Sequence, residues 1–314
     1  MFEVACIGNL VADVIAKPVE ALPEKGRLGL VDEMSLHSGG CAMNTGNALG
    51  KLGIATAAFG KVGDDGFGDF LLKRLQSFGV NTDGVVKDAT VNTSATMVML
   101  APDGERTFVH YIGANAKYGY DDVRFDLLSA TKILHLAGFY LMSKLDGEPS
   151  AAVLRVAKHM GLTTSLDTCW DSLGRWLPLV EGCFPYVDYF LPSIEEARMI
   201  TGLQSPRDVA QFLLDRGVGV VGLKMGELGC YVKTADCEFS VPPFAVKPVD
   251  ATGAGDSFVA GFLAGLVKGI DLESTARLAN AVGACCVTGM GASSGILSWS
   301  ETMAFMETTP IRSM

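Results

Sequence analysis

The stretch that decides the fold is residues 249–268, which read VDATGAGDSFVAGFLAGLVK. Its first half is polar and rich in glycine. Its second half is an apolar helix with small residues at Ala260, Gly261, Ala264 and Gly265, which allow close packing against a neighbour. The glycines fall where that helix should begin. Because the first amides of a helix have no partner within it, the backbone at this point is able to bind an anion.

Asp256 stands in the first turn of this helix, beside the predicted anion site. A carboxylate in that position is suited to accept a proton from a hydroxyl while the hydroxyl attacks a bound phosphoryl group. A glycine-rich loop followed by an acid is also common at helix starts that carry no chemistry. The residues alone therefore leave both interpretations open.

The composition of the chain is that of a globular protein. It has 314 residues, 49% of them hydrophobic and 19% charged, which is ample for a large core. The net charge of −10 argues against nucleic acid or an anionic membrane surface as a partner. No basic leader precedes the first apolar run and no apolar run is long enough to span a membrane, so we expect a cytoplasmic protein. The 8 cysteines form no Cys-x-x-Cys pattern, and we expect reduced core thiols rather than a zinc site or disulfides.

Apolar runs alternate with amphipathic segments along most of the chain. Strands are predicted at 4–8, 55–63, 133–137, 164–167, 186–191 and 218–223, and helices at 67–78, 148–159, 194–201, 207–216 and 272–288. Alternation of this kind builds a parallel sheet with helices on both faces. Since no polar linker or internal repeat is visible, we expect a single domain over residues 1–314.

Two segments, 14–38 and 93–112, interrupt this alternation. The first contains prolines and glycines without a helical period. The second has two strand-like runs around the turn Pro102-Asp103-Gly104, which indicates a hairpin. We expect the two segments to pair as a small β-sheet lid over the site. The two segments carry more apolar side chains than the one face of the sheet that covers a polar ligand can use. This excess favours a homodimer through the lid. The apolar side chains are Leu28, Leu30, Val31, Met97, Val98, Met99 and Leu100.

A second group of polar residues lies near the start of the chain. Asp13 follows the first predicted strand, and ligands of open α/β sheets bind at the carboxyl ends of strands. Gly39 and Gly40 precede a helix and allow a ligand to approach the backbone, while Asn44 offers both a donor and an acceptor one turn later. Each of these residues also has an ordinary interpretation, as a turn acid, a helix entry or a surface amide.

The string Asp-x-Thr-Gly-Ala-Gly-Asp-x-Phe at 250–258 resembles the signature of the ribokinase-like (PfkB) carbohydrate kinases. The string Gly-Gly-x-x-x-Asn at 39–44 resembles the other signature of that family, and the resemblance covers nearly the whole chain. It implies a ribokinase-like three-layer α/β/α fold with a mostly parallel central sheet and a small β-sheet lid. It also implies ATP-dependent phosphorylation of a hydroxyl group on a small sugar.

By this resemblance, Asp256 is the general base and the backbone of Gly253, Ala254 and Gly255 is the anion hole. The acceptor is held by Asp13, which follows the first strand, and by the signature at 39–44 through Gly39, Gly40 and Asn44.

The resemblance also implies ATP and Mg²⁺ as cofactors. Glu196 is expected to act on Mg²⁺ through water, and Asp250 and Thr252 match positions where many relatives bind a monovalent cation such as K⁺. The expected contacts to the nucleotide are Lys224, Gly226, Gly229, Asn280 and Gly283.

The chain departs from the family pattern at two positions. Val11 stands where the family often has Asn, and Ser193 replaces the Asn of an Asn-x-x-Glu motif whose Glu is Glu196. Ser193 and Glu196 also suit an ordinary helix start. Two alternatives stay open: a nucleoside kinase on the same fold, and a catalytically silent sugar-binding or regulatory member.

Overall fold

The structure is a computed structural model and describes residues 1–312. In chain order its strands are β1 (Val4–Gly8), β2 (Val11–Lys17), β3 (Glu33–Gly39), β4 (Thr56–Gly63), β5 (Asn81–Asp88), β6 (Ala95–Leu100), β7 (Arg106–Tyr111), β8 (Ile133–Phe139), β9 (Thr163–Thr168), β10 (Tyr189–Phe190), β11 (Val220–Lys224), β12 (Cys230–Lys233) and β13 (Glu238–Val241). Its α-helices are α1 (Cys41–Lys51), α2 (Gly66–Ser77), α3 (Phe125–Leu128), α4 (Glu148–His159), α5 (Trp176–Val180), α6 (Ile194–Thr201), α7 (Pro206–Leu214), α8 (Ala254–Val267), α9 (Leu272–Cys286) and α10 (Trp299–Thr308).

A nine-stranded sheet forms the middle layer, in the order β13-β12-β11-β10-β9-β8-β1-β4-β5. The strands from β11 across to β5 are parallel, and β12 and β13 add an antiparallel edge. Apolar side chains from the two faces of this sheet form two buried clusters, one under α4 and α6 and the other under α1, α8 and α9. The predicted three-layer α/β/α class is confirmed.

Several predicted elements change in extent. The strand predicted at 186–191 is reduced to Tyr189–Phe190, because residues 181–186 form a 3₁₀ turn that contains Pro185. Three strands were missed, namely β5, β12 and β13, and the helices α3, α5 and α10 were missed as well. Each of the three strands lies at or next to an edge of the sheet, where one-sided burial leaves a weaker apolar pattern.

Small residues set the close approach of α8 and α9. A Cβ atom added to Gly261 would lie 2.8 Å from Ala279 Cα and 2.9 Å from Val282 Cγ2. One added to Gly265 would lie 2.7 Å from Thr275 Oγ1. Glycine at these positions therefore brings the two helix backbones together, and this packing holds the start of α8 in place.

The two interrupting segments pair with each other as predicted. They form a four-stranded sheet in the order β3-β2-β6-β7, in which β2 is antiparallel to β3 and parallel to β6. We call this sheet the lid. Its strands extend the expected boundaries slightly, since β2 begins at Val11 and β3 ends at Gly39.

The register of the lid separates its two faces. Asp13 is paired with His37 and Thr96, and Thr96 with His110, so these four side chains share one polar face, which we call the inner face. The opposite, outer face carries apolar side chains that are exposed in the chain: Met34, Leu36, Met97, Val109 and Tyr111. Val98 and Met99 are buried within the chain, contrary to the expectation that they add to an exposed surface.

None of the helices among residues 1–312 combines the length and the apolar character that crossing a membrane requires.

The α8–α9 contact yields a stability prediction. Gly261→Ala should lower the free energy of unfolding by about 1–3 kcal/mol, because the added methyl group overpacks the interface. Gly66→Ala, at a helical glycine whose Cβ would enter open space, is the matched control and should leave stability nearly unchanged. The midpoints of urea unfolding of both variants check this, and equal midpoints would show that the interface relaxes without cost.

Candidate active site

The glycine-rich loop before α8 forms an open cluster of backbone amides. Gly253 caps the helix in the left-handed region, with φ 75°, and an added Cβ would lie 2.5 Å from Ala292 Cβ. Within residues 1–312, the amides of Gly255 and Asp256 donate to no acceptor. The helix start therefore presents free N–H groups and a favourable dipole. The predicted set changes in one member, because Ala254 N donates to the Ala251 carbonyl oxygen at 3.2 Å and is not free for an anion.

Asp256 lies directly beside these amides and contacts α1. The Asn44 side chain donates from Nδ2 to Asp256 Oδ2 at 2.8 Å, and Thr45 Oγ1 donates to the Asp256 backbone carbonyl at 3.3 Å. The structure thus joins the two sequence signatures, which are separated by about two hundred residues. Asn44 is 5% exposed, and within residues 1–312 its Oδ1 atom has no hydrogen-bond partner.

Burial raises the pKa of the Asp256 carboxyl above its usual value. The hydrogen bond from Asn44 and the positive charge of Lys224 oppose this shift without cancelling it. A carboxylate whose pKa is raised toward neutrality is a better proton acceptor than an ordinary surface aspartate.

The other predicted acceptor contacts converge under the lid. Asp13 lies on the inner face of β2, where burial raises the pKa of its carboxyl against the opposing effects of Thr96 and His37. A Cβ added to Gly39 would overlap the Asp13 carboxylate. Gly40 has φ 92°, and a Cβ there would lie 2.5 Å from the Asn9 carbonyl oxygen. Both glycines are needed so that β3 can turn into α1 beside Asp13.

Lys224 reaches the anion loop from the end of β11. Its Nζ atom is 2.6 Å from Asp167 Oδ2, and a Cβ added to Gly255 would lie 3.4 Å from Nζ. Burial alone would lower the pKa of Lys224, but the charges of Asp167 and Glu196 outweigh that effect and the pKa is raised. The ammonium group therefore stays charged beside the free amides.

Glu196 sits near this lysine at the start of α6. Ser193 and Glu196 form a reciprocal capping box, in which Ser193 N donates to Glu196 Oε2 at 3.1 Å. Thr168 Oγ1 donates to the same oxygen at 3.0 Å. Within residues 1–312, the other oxygen, Oε1, has no hydrogen-bond partner. The ordinary helix-cap interpretation is thus correct, and it engages only one of the two carboxylate oxygens.

The remaining nucleotide candidates differ in their surroundings. Gly226 and Gly229 both have positive φ and shape the turn after β11. Gly283 of α9 packs on the start of α8, and a Cβ added to it would lie 3.4 Å from the Ala254 carbonyl oxygen. Asn280 is buried and donates from Nδ2 to the carbonyl oxygens of residues 241 and 242, at 3.0 and 3.2 Å. Its amide nitrogen holds α9 to the end of β13, so the structure does not bring that group to a nucleotide.

Asp250 and Thr252 are engaged by a lid residue. Arg106 Nη2 is 3.0 Å from Asp250 Oδ1, and Arg106 Nη1 donates to Thr252 Oγ1 at 2.8 Å. Asp250 also accepts from Thr252 N, Thr252 Oγ1 and Gly291 N. These bonds hold the pKa of Asp250 at about 2, although burial by itself would raise it. With both carboxylate oxygens taken in this way, the side chains do not fit a monovalent cation as arranged.

Sequence reasoning missed Arg106, Asp167 and a cysteine pair at this site. Cys41 and Cys169 face each other beside Asp256 with their Sγ atoms 3.1 Å apart. Both were expected in the apolar core, but both are only partly buried. The Cys169 contact and then burial raise the pKa of Cys41 well above its usual value, so the thiol is neutral. The position of Cys41 directly after Gly40 was the available signal. Arg106 and Asp167 carried none, because their partners are distant in sequence.

The comparison with family models decides the identity. The model of the pfkB family of carbohydrate kinases matches residues 1–299. The chain belongs to that family. As a pfkB family member it is a phosphotransferase with an alcohol group as acceptor.

Individual relatives agree with this assignment. An uncharacterized sugar kinase of Archaeoglobus fulgidus is 34% identical over 248 residues, which cover 79% of this chain and 97% of the relative. Fructokinase-2 of Oryza sativa subsp. japonica is 30% identical over 302 residues, covering 90% of each. Among solved structures, an E. coli protein assigned as a ribokinase II, in complex with ATP and Mg²⁺, has a TM-score of 0.86 at 25% identity, covering 98% of this chain and 99% of that one. The ribokinase-like fold is thus confirmed.

The contact between Gly39 and Asp13 yields a prediction for the site of this pfkB kinase. Gly39→Ala should raise the acceptor KM about tenfold or more while the ATP KM stays within about twofold, because the added methyl group displaces the Asp13 carboxylate from hydroxyl groups it would bind. Gly46→Ala is the control, since its Cβ would meet Leu75 at an ordinary 3.6 Å. Steady-state kinetics with both substrates measures this. An equal rise in both KM values would show that Asp13 does not act specifically in acceptor binding.

Proposed function

We propose that this pfkB family member transfers the γ-phosphoryl group of ATP to a hydroxyl group of a small sugar, with Asp256 as general base. One observation carries the proposal: the Asp256 carboxylate is held by Asn44 next to the free amides of α8. The carboxylate and the free amides thus lie within the first turn of α8, and the Asn44 side chain of α1 contacts that carboxylate.

The protein residues divide the chemistry among them. Asp256 accepts the proton of the attacking hydroxyl, and its raised pKa favours this step. The amides of Gly255 and Asp256 and the ammonium of Lys224 stabilise negative charge on the transferred group. ATP bound with Mg²⁺ would supply the phosphoryl group, and Glu196 would hold a water of that metal.

The acceptor side favours a polyhydroxylated molecule. Asn44 Oδ1 is a buried acceptor with no partner within residues 1–312, and the Asp13 carboxylate lies on the polar inner face of the lid. Sugar hydroxyls donate to such oxygens, and the charge-assisted bond to the Asp13 carboxylate is worth about 1.5–3 kcal/mol. The relatives named as a fructokinase and a sugar kinase support the same acceptor class.

The acceptor assignment is tested by measuring ADP formation with a panel of ketoses, aldoses, sugar acids and nucleosides. We expect turnover with at least one sugar and none with nucleosides. Turnover confined to nucleosides would establish the nucleoside kinase alternative. ATP hydrolysis that no acceptor stimulates would favour a silent regulatory member.

Replacement of the proposed base yields the next prediction. Asp256→Asn should lower kcat by about 10²–10⁴-fold and leave folding and ATP binding largely intact, because the amide cannot accept the proton. Asp236→Asn, at an exposed loop position, is the control for loss of one carboxylate. Single-turnover kinetics together with nucleotide titration separates chemistry from binding, and near-normal turnover of Asp256→Asn would exclude it as the base.

We further propose that the lid mediates a homodimer. Its outer face exposes Met97 at 53%, Val109 at 58% and Tyr111 at 49%. Tyr111 and Leu36, with Phe67 of α2, line a shallow cavity of about 660 Å³ on that side. Contiguous exposed apolar surface on a sheet face, next to the free edge of β7, is typical of an interface.

The dimer is tested by charging its outer face. Met97→Glu and Val109→Glu should each convert the dimer to a monomer, because a carboxylate buried in an apolar interface loses its hydration. Leu173→Glu, at a 74% exposed position in a loop of the main body, should leave the dimer intact. Sedimentation at micromolar concentration measures this, and an unmodified protein that sediments as a monomer would contradict the proposal.

A further inference from the structure

The lid touches the anion loop through one ion pair. Arg106, the first residue of β7, belongs to the inner face, because β7 alternates and His110 is on that face. Its guanidinium makes two contacts, one with Asp250 and one with Thr252. Thr252 directly precedes the helix cap Gly253, so this contact joins the lid to the start of α8.

Asp250 needs such a partner. Its side chain is only 5% exposed, and an uncompensated carboxylate is costly to bury. Within residues 1–312, Arg106 is its only ion-pair partner. The other donors are neutral, namely the amide and hydroxyl of Thr252 and the amide of Gly291.

The Asp250 carboxylate in turn organises the anion loop. Oδ1 binds Thr252 and Oδ2 binds Gly291, so the carboxylate ties the loop before α8 to the loop after α9. The second loop carries Ala292, which packs against Gly253. His37 of the lid also reaches this place, with Nδ1 3.8 Å from a Cβ built on Gly291. A positive charge at Asp250 therefore acts on the backbone that presents the free amides.

We propose that Arg106 is a positioning residue that supplies the positive charge at Asp250 and Thr252, in the place of a monovalent metal ion. The inference rests on the proposed kinase function of the same site. Two consequences distinguish this arrangement from an ordinary ion pair. The unmodified protein has no requirement for K⁺, and removal of the guanidinium frees Asp250 and Thr252 oxygens, so that it creates a binding site for such an ion.

The test compares the full chain with Arg106→Gln, Arg106→Lys and the control Arg27→Gln, which removes one charge from an exposed lid loop. Thermal unfolding is measured in KCl, NaCl and choline chloride at equal ionic strength. The unmodified protein, Arg106→Lys and Arg27→Gln should each unfold at the same Tm in all three salts. Arg106→Gln should unfold about 2–4 °C higher in KCl than in choline chloride, because an ion that binds only the folded state stabilises it.

Kinetics supply the second readout, with the sugar found by the acceptor panel. The kcat of the unmodified protein should be independent of the cation. Arg106→Gln should lose about tenfold or more in kcat in choline chloride and regain a large part in KCl, whereas Arg106→Lys should need no K⁺. A merely structural ion pair would show loss of kcat without this rescue by K⁺.

Some outcomes overturn the proposal. If K⁺ raises the Tm of the unmodified protein by several degrees, or its kcat severalfold, Arg106 does not replace the ion. A Tm of Arg106→Gln that is indifferent to K⁺ would do the same, and if that variant does not fold, the salt dependence of the unmodified protein and of Arg106→Lys decides. Absence of turnover with every acceptor would refute the kinase function alone, since the unfolding measurements stand without it.

Discussion

The hydrogen bond between Asn44 and Asp256 is the contact on which the rest of the site depends. It exists because α1 and α8 both begin at the same end of the central sheet. Each follows a glycine with positive φ, Gly40 before α1 and Gly253 before α8. The close packing of α8 on α9 holds its helix start in place. Once this contact is made, the free amides, the carboxylate and the lid all face one cleft.

Negative charge is concentrated in that cleft, and the chain compensates for it residue by residue. Asp167 is paired with Lys224 and Asp250 with Arg106, and both cations come from elements distant in sequence. Asp256 has only neutral hydrogen-bond donors of the chain in direct contact, and burial raises its pKa. Burial also raises the pKa of the paired Asp167, to about 7, so a raised pKa does not by itself distinguish Asp256. What distinguishes Asp256 is its position beside the free amides of α8.

Helices were predicted more accurately than edge strands. The predicted bounds of α4 and α6 agree with the structure at both ends, because each has a clear start signal and a regular apolar stripe. The strand β5, which reads NTDGVVKD, has almost no alternation, since it is a half-covered edge. The pairing of 14–38 with 93–112 was anticipated from their shared departure from helical period.

The sequence by itself determined the fold class and the residues at the helix start, because glycine positions and a first-turn acid carry their meaning locally. Only the tertiary structure decided which of the polar candidates act together. It brought Asn44 into a hydrogen bond with Asp256 and Arg106 into an ion pair with Asp250. It also directed the amide nitrogen of Asn280 to the backbone carbonyl oxygen of residue 241. These contacts cross the whole chain, and their geometry follows from how the sheet and lid bring distant strands together, which no local pattern of residues encodes.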